Sequence, residues 1–265
     1  MPNKTRTPGA LRDMEMKNIS GLPAEKIDTL LFDLDGTIID MNRRAEIIFY
    51  FRAFRRFKPY FSPVSFFISF RKSIRAILDN HTERLNYDVF IENMARFGRT
   101  TPQVIDVLTS ELIEQDFQPL QLFFRPVSGA REAVHLANEL SYRLVLVTNP
   151  VFPMTTVLYR LKWAGLMPDN FLFMTHSQNM NRCKPGLEFY DRLLMRLALA
   201  PERCLMIGNT DEDLPAHDIG IRTFLVETPL SKKSVRKLFS DQRLDARGPY
   251  EDLINWMKNG RCKAA

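Results

Sequence analysis

The chain has 265 residues, of which 45% are hydrophobic and 26% are charged, and its formal net charge at pH 7 is +6. This hydrophobic content excludes a disordered chain and suffices for one large globular domain, or for a domain with an insertion. The stretches most like membrane spans, residues 59–70 and 144–159, contain proline and fall short of the ~20 apolar residues that a spanning helix needs, which argues against a membrane-spanning protein.

Residues 1–27 mix proline, glycine and charged residues without a sustained period, so we predict a flexible lead-in there. This segment has no apolar stretch typical of a secretory signal. The three cysteines, Cys183, Cys204 and Cys262, are odd in number and lack metal-ligand spacing. We therefore expect a cytoplasmic protein with free thiols, without a disulfide framework or a zinc site.

An apolar strand is predicted at residues 29–33, and from Ser128 onward short apolar runs alternate with helix-like stretches. The runs are LVLVTN, FLFMT, CLMIGN and TFLVE. This βαβ rhythm predicts an α/β fold, a Rossmann-like parallel sheet with helices on both faces. The core domain is predicted to comprise residues 28–40 and 125–265 and to end in a closing helix, EDLINWMKNG.

The βαβ rhythm stops at residues 41–124, where we predict a helical cap inserted after the first strand, with breaks at Pro59, at Pro63 and around residues 98–102. Residues 41–78 contain nine Arg or Lys residues, interleaved with phenylalanine, against one acid, Glu46. Such a segment can stack on bases or lie on anionic lipid, but it is also typical of a helix with one apolar and one solvated face. We expect no nucleic-acid partner and keep association with a membrane surface as a minor alternative.

The first predicted strand ends in LLFDLDGT, which places Asp33 at the strand end and Asp35 two residues later. Ligands of open α/β sheets bind outside the carboxyl ends of the strands, so both carboxylates should lie in that crevice, close enough to share a cation. A carboxylate can attack phosphorus, and a second one can act as general acid and base. Asp33 is the natural attacking group, and Asp35 the natural proton carrier.

This motif resembles the first motif of the haloacid dehalogenase superfamily, an apolar strand that ends in DxDxT. The resemblance implies that Asp33 is the nucleophile, that Asp35 is the acid/base and places its main-chain carbonyl on a metal, and that Thr37 supports them. It also implies a phosphotransferase rather than a dehalogenase, because the dehalogenases lack the second aspartate.

The later motifs of the superfamily follow in the same order. LVLVTNP resembles the second motif, which implies that Thr148 and Asn149 bind the transferring phosphoryl group. CKPGLEFY resembles the third, which implies that Lys184 meets the charges of the phosphate and the nucleophile.

The fourth motif holds Mg²⁺ with two acids after an apolar strand that ends in Gly-Asp. Here Gly208 is followed by Asn209, with Asp213 at the usual offset and Asp211 and Glu212 as nearby alternatives. The resemblance therefore implies Asp33, Asp35, Asn209 and Asp213 as the metal ligands. TNPVFP and WAGL resemble branches of the superfamily that also have asparagine here, and the neutral oxygen predicts a weaker Mg²⁺ site.

These motifs favour an Mg²⁺-dependent hydrolase of small phosphomonoesters that works through an aspartyl phosphate. A phosphomutase of sugar phosphates and a regulatory protein with the same fold but little turnover remain the alternatives. The sequence indicates neither the physiological substrate nor the oligomeric state.

Overall fold

The computed structural model describes residues 18–228, 237, 238 and 240–261. Six parallel strands form the main sheet, in the order β5-β4-β1-β6-β7-β8. These strands are β1 (Thr29–Phe32), β4 (Arg143–Leu146), β5 (Phe173–Met174), β6 (Cys204–Gly208), β7 (Arg222–Val226) and β8 (Ala246–Gly248). The predicted α/β fold with a Rossmann-like parallel sheet is confirmed.

The central strand β1 is buried on both faces because its side chains are apolar without alternation. Leu30 and Phe32 belong to the hydrophobic cluster on one face, and Leu31 belongs to the cluster on the other. In the described part of the chain, four helices cover these faces, as predicted: α5 (Ala130–Glu139), α6 (Met154–Trp163), α7 (Leu187–Leu197) and α8 (Tyr250–Arg261). Helix α7 lies on the Leu31 face, and α5, α6 and α8 lie on the other.

Four further helices lie between two short strands that pair antiparallel, β2 (Ile39–Met41) and β3 (Phe124–Pro126). They are α1 (Arg43–Phe57), α2 (Pro63–Leu78), α3 (Asn86–Gly98) and α4 (Pro102–Glu111), followed by a π-helical segment, Leu112–Phe117, and a 3₁₀ segment, Gln118–Phe123. These helices share a hydrophobic cluster rich in phenylalanine, which also includes Cys183. The division of the chain into lead-in, core and cap stays a prediction. The first and last residues of the predicted cap, Met41 and Phe124, lie in β2 and β3.

The helix breaks predicted in this insertion are confirmed, and local chemistry explains them. Helices α2 and α4 both begin with proline, whose missing N–H costs nothing at the first helical position. The hydroxyls of Ser62 and Thr101 accept hydrogen bonds from the main-chain N–H groups of Ser65 and Val104, and so cap the two helices.

The predicted flexible lead-in needs correction at its end, because part of it is packed against the core. Ile19, Ala24 and Ile27 are buried, and the indole N–H of Trp256 donates to the carbonyl of Leu22 at 3.1 Å. The rest of the predicted lead-in, residues 1–17, and the start of the predicted helical stretch after residue 232 lie outside the described residues. Within the described part of the chain, every helix is too short or too polar to cross a bilayer.

Candidate active site

A buried lysine joins two carboxylates at the carboxyl ends of neighbouring strands. Lys184 Nζ lies 2.7 Å from Asp33 Oδ1 and 2.7 Å from Asp213 Oδ1, and all three side chains are buried. Asp33 follows β1, and Asp213 lies in a 3₁₀ segment, Asp211–Ile219, that follows β6. The pairing of β1 with β6 thus brings together residues that are far apart in the sequence.

Burial dominates the acid–base behaviour of this cluster. It raises the pKa of Asp33 to about 7, while the ammonium of Lys184 limits the rise and the carboxylate of Asp213 adds to it. Burial alone would lower the pKa of Lys184, but the carboxylates of Asp213 and Asp33 raise it well above its usual value. Lys184 is therefore a permanent cation at neutral pH, and the ionised cluster holds one negative charge in excess.

Thr37 and Asn209 extend the cluster. Thr37 Oγ1 lies 3.1 Å from Asp33 Oδ2 and 3.2 Å from Asn209 Oδ1, and its single proton can serve one of these acceptors at a time. Gly36 makes this approach possible, because its φ is +83° and a Cβ there would lie 2.1 Å from Asn209 Nδ2.

The loop after β6 fixes Asp213. Asp213 Oδ2 accepts hydrogen bonds from the main-chain N–H groups of Asn209, at 3.2 Å, and Thr210, at 3.4 Å. A Cβ at Gly208 would lie 2.1 Å from that same oxygen, so only glycine allows the carboxylate to approach the strand end. Asp211 and Glu212, the alternatives considered from the sequence, are exposed to solvent.

The two residues of the second motif behave differently. Asn149 Nδ2 donates to the main-chain carbonyl of Lys184 at 3.4 Å, and its Oδ1 is buried without a hydrogen-bond partner among the described residues. Thr148 is buried after β4, and its main-chain carbonyl accepts a 2.6 Å hydrogen bond from Thr175 Oγ1. Within the described chain, its hydroxyl makes none of the hydrogen bonds that join the other site residues.

The side chain of Asp35 pairs with a residue outside this cluster. It is 48% exposed and forms a salt bridge with Arg160 on α6, whose side chain is only 3% exposed. The sequence interpretation missed Arg160, although a signal exists. Val157, Leu161 and Ala164 recur at helical spacing and are buried, and position 160 lies on the same face of the helix.

The donor atoms in the cluster fit a hard cation such as Mg²⁺. The carboxylates of Asp33 and Asp213 and the amide oxygen of Asn209 are oxygen ligands, and the excess negative charge needs a counterion. In the described ranges, no three His, Cys, Asp or Glu side chains are close enough together to hold a metal. The candidate metal ligands in the cluster are thus two carboxylates and the neutral amide oxygen of Asn209, the composition that the asparagine in the fourth motif predicts.

A family model described as haloacid dehalogenase-like hydrolase matches residues 27–217. The pyrophosphatase PpaX of Halalkalibacterium halodurans is 24% identical over 202 residues, which cover 76% of this chain and 84% of that protein. Among solved structures, CbbY of Rhodobacter sphaeroides in complex with xylulose 1,5-bisphosphate superposes with a TM-score of 0.52 at 18% identity, covering 83% and 93% of the two chains. A Pseudomonas syringae hydrolase gives a TM-score of 0.51 at 14% identity, covering 88% and 98%.

Proposed function

The chain belongs to the haloacid dehalogenase-like hydrolase family, and we propose that it hydrolyses small phosphomonoesters with Mg²⁺ through an aspartyl-phosphate intermediate. The partner is then a small phosphorylated metabolite. The observation that carries the proposal is the contact of Lys184 with both Asp33 and Asp213, because it combines a nucleophile, a fixed cation and a second carboxylate in one buried cluster.

In the first half of the proposed reaction, a carboxylate oxygen of Asp33 attacks phosphorus and the ester P–O bond breaks. The ammonium of Lys184, 2.7 Å from Asp33, balances the negative charge that the phosphate brings to a buried carboxylate. Asn149 and Thr148 are the proposed donors to the phosphoryl oxygens. Asp35 gives a proton to the leaving alkoxide.

In the second half, Asp35 takes a proton from water, and the resulting hydroxide oxygen attacks the phosphorus of the aspartyl phosphate. The bond between Asp33 and phosphorus breaks, which releases inorganic phosphate and restores the carboxylate. Asp33, Asp213, Asn209 and the main-chain carbonyl of Asp35 would hold Mg²⁺, which supplies positive charge to the phosphoryl oxygens when bound.

The test is phosphate release from p-nitrophenyl phosphate with Mg²⁺ and with excess chelator. We expect turnover only with the metal, and we expect Asp33→Asn to abolish it while leaving the unfolding temperature close to that of wild type. Asp35→Asn should lower kcat about 10²–10⁴-fold. Asp169→Asn, which changes an exposed aspartate in the short 3₁₀ segment Pro168–Asn170 before β5, serves as the matched control.

Turnover that persists in Asp33→Asn would contradict the covalent mechanism, and equal turnover in chelator would contradict the metal requirement. A hexose phosphate panel analysed for isomers as well as free phosphate separates a hydrolase from a phosphomutase. Absence of both activities would favour the regulatory alternative.

A further inference from the structure

Arg160 is a buried cation with unused hydrogen-bonding capacity. Its Nη1 donates to Asp35 Oδ2, and its Nε donates to the main-chain carbonyl of Thr156 at 3.1 Å. The guanidinium carbon lies 5.3 Å from the ring centroid of Phe152. Its Nη2 is buried without a hydrogen-bond partner among the described residues. An unpaired buried donor is costly, so this arrangement needs an explanation beyond packing.

Arg160 and Asp35 both line a cavity of about 360 Å³ between α6 and the inserted helices. The rest of the lining is largely aromatic and aliphatic, and Arg160 is the only basic residue among the described residues that form it. Glu46, the other acid of the lining, is exposed to solvent. A volume above ~300 Å³, apolar walls and one convergent charged group are typical of a small-molecule pocket.

The geometry leaves one position open for a planar anion. A guanidinium binds a carboxylate best through two parallel N–H groups, whereas Asp35 engages Nη1 alone. A substrate carboxylate that occupies both Nη1 and Nη2 would satisfy the unpaired donor and would compete with Asp35 for the shared nitrogen. The side chain of Asp35 would then be free to turn toward the leaving group.

We propose that Arg160 is a specificity-determining residue, which binds a carboxylate on the apolar leaving group of the substrate and thereby releases Asp35 for proton transfer. The inference rests on the proposed phosphatase function and adds to it the substrate class, a phosphomonoester whose leaving group is aromatic or branched aliphatic and carries a carboxylate.

The experiment measures binding of non-hydrolysable phosphonates by calorimetry in the full chain with Mg²⁺. The probes are benzylphosphonate and its meta- and para-carboxy derivatives, which differ only in the carboxylate. Wild-type protein should bind at least one carboxy derivative about tenfold or more tightly than benzylphosphonate, which is the effect of a charge-assisted hydrogen bond.

In Arg160→Met this preference should fall to less than about twofold, while Arg160→Lys should keep part of it, because lysine has the charge without the planar fork. The unfolding temperatures of both variants report whether the fold is kept. The preference is the ratio of the affinities for the carboxy derivative and for benzylphosphonate, measured in the same variant. A variant with a damaged fold would bind both ligands more weakly, and this ratio would not change.

Competition between Asp35 and the ligand gives a second, independent readout. Asp35→Asn should increase the preference for the carboxy derivative several-fold when Arg160 is present and should leave it unchanged in Arg160→Met. The inference is overturned if no carboxy derivative is preferred by wild type, if the preference survives in Arg160→Met, or if Asp35→Asn does not increase it.

Turnover of p-nitrophenyl phosphate by wild type decides the proposed function separately. If wild type turns over p-nitrophenyl phosphate but shows no carboxylate preference, only the proposed role of Arg160 is contradicted, and the phosphatase function stands. A carboxylate preference that depends on Arg160 without turnover supports the binding role and contradicts the phosphatase.

Discussion

Thr37 Oγ1 lies 3.2 Å from Asn209 Oδ1, so a hydroxyl and an amide join the loop after β1 to the loop after β6. The fourth motif of most superfamily branches has aspartate at the position of Asn209. The neutral amide reduces the negative charge of the candidate metal site, and this difference leads to a direct test.

Asn209→Asp should tighten Mg²⁺ binding about tenfold, because it replaces a neutral oxygen with a carboxylate beside Asp33 and Asp213. Calorimetric titration with Mg²⁺ measures the change. Asp213→Asn should weaken binding in the same assay. If neither variant changes the affinity, the metal is bound elsewhere.

Mg²⁺ affinity should also depend on pH, because burial raises the pKa of Asp33 to about 7 and a proton competes with the cation for this carboxylate. The raised pKa means that Asp33 is mostly protonated below pH 7, so we expect apparent affinity to rise from about pH 5.5 to about pH 8 and then to level off. Asp33→Asn is the control and should remove this dependence. A constant affinity across the range in wild type would contradict the assignment of Asp33 as a ligand.

Arg56 should matter for stability, because it links α1 to the end of α4 and to the π-helical segment that follows α4. Its Nε lies 2.5 Å from Asp116 Oδ2, and its Nη1 lies 3.0 Å from Glu111 Oε2. Arg56→Ala should lower the free energy of unfolding by about 1–2 kcal/mol, more than an isolated surface pair contributes. Urea denaturation measures the loss.

Arg55→Ala is the matched control for this measurement, because Arg55 is the exposed neighbour on the same helix. It should change stability by less than about 0.5 kcal/mol. Equal losses in both variants would mean that the contacts of Arg56 contribute nothing specific.

Asp28 should make folding stability depend on pH in the acid range. Burial alone would raise its pKa, but hydrogen bonds from Arg143, Thr29 and Arg203 lower it to about 2. Its contribution to stability is therefore complete well above pH 4 and is lost as the pH falls toward 2. Asp28→Asn should cost about 1 kcal/mol at neutral pH, because solvent around the partly exposed arginine partners screens these ion pairs.

The measurement is urea denaturation of wild type and Asp28→Asn at neutral pH and at about pH 3, where the difference between them should be roughly half as large. Asp169→Asn, which changes an exposed aspartate, should show no such pH-dependent difference. A difference that does not shrink in acid would show that the charge of Asp28 is not what stabilises the fold.

Five of the six parallel strands could be predicted, because each is an apolar run that ends in a polar residue, as in LLFDLDGT and CLMIGN. The edge strand β8, Ala246–Gly248, could not, because it has three residues and includes Arg247, so it carries no apolar pattern. The pair β2 and β3 was missed for a similar reason, since both strands are short and partly exposed.

The clustering of Asp33, Lys184, Asn209 and Asp213 also agrees with the motif order, whereas the position of Asp35 did not follow from it. Motif spacing places Asp35 after a strand but does not determine which partner its side chain selects. That partner, Arg160, lies 125 residues later on a helix, and a single arginine in a helix usually indicates a solvated surface. The local sequence pattern therefore identifies where the strands end, but not which distant residue a side chain at a strand end contacts.

The pairing of β1 with both β4 and β6 has a consequence for how the protein folds. Asp33 and Lys184 are 151 residues apart in the sequence, and Thr37 and Asn209 are 172 apart. Contacts between such distant residues close large loops and form slowly. During refolding from denaturant, helical signal should therefore return well before any signal that depends on the cluster around Lys184, and a nascent chain that ends before β6 would contain Asp33 and Lys184 but lack Asn209 and Asp213.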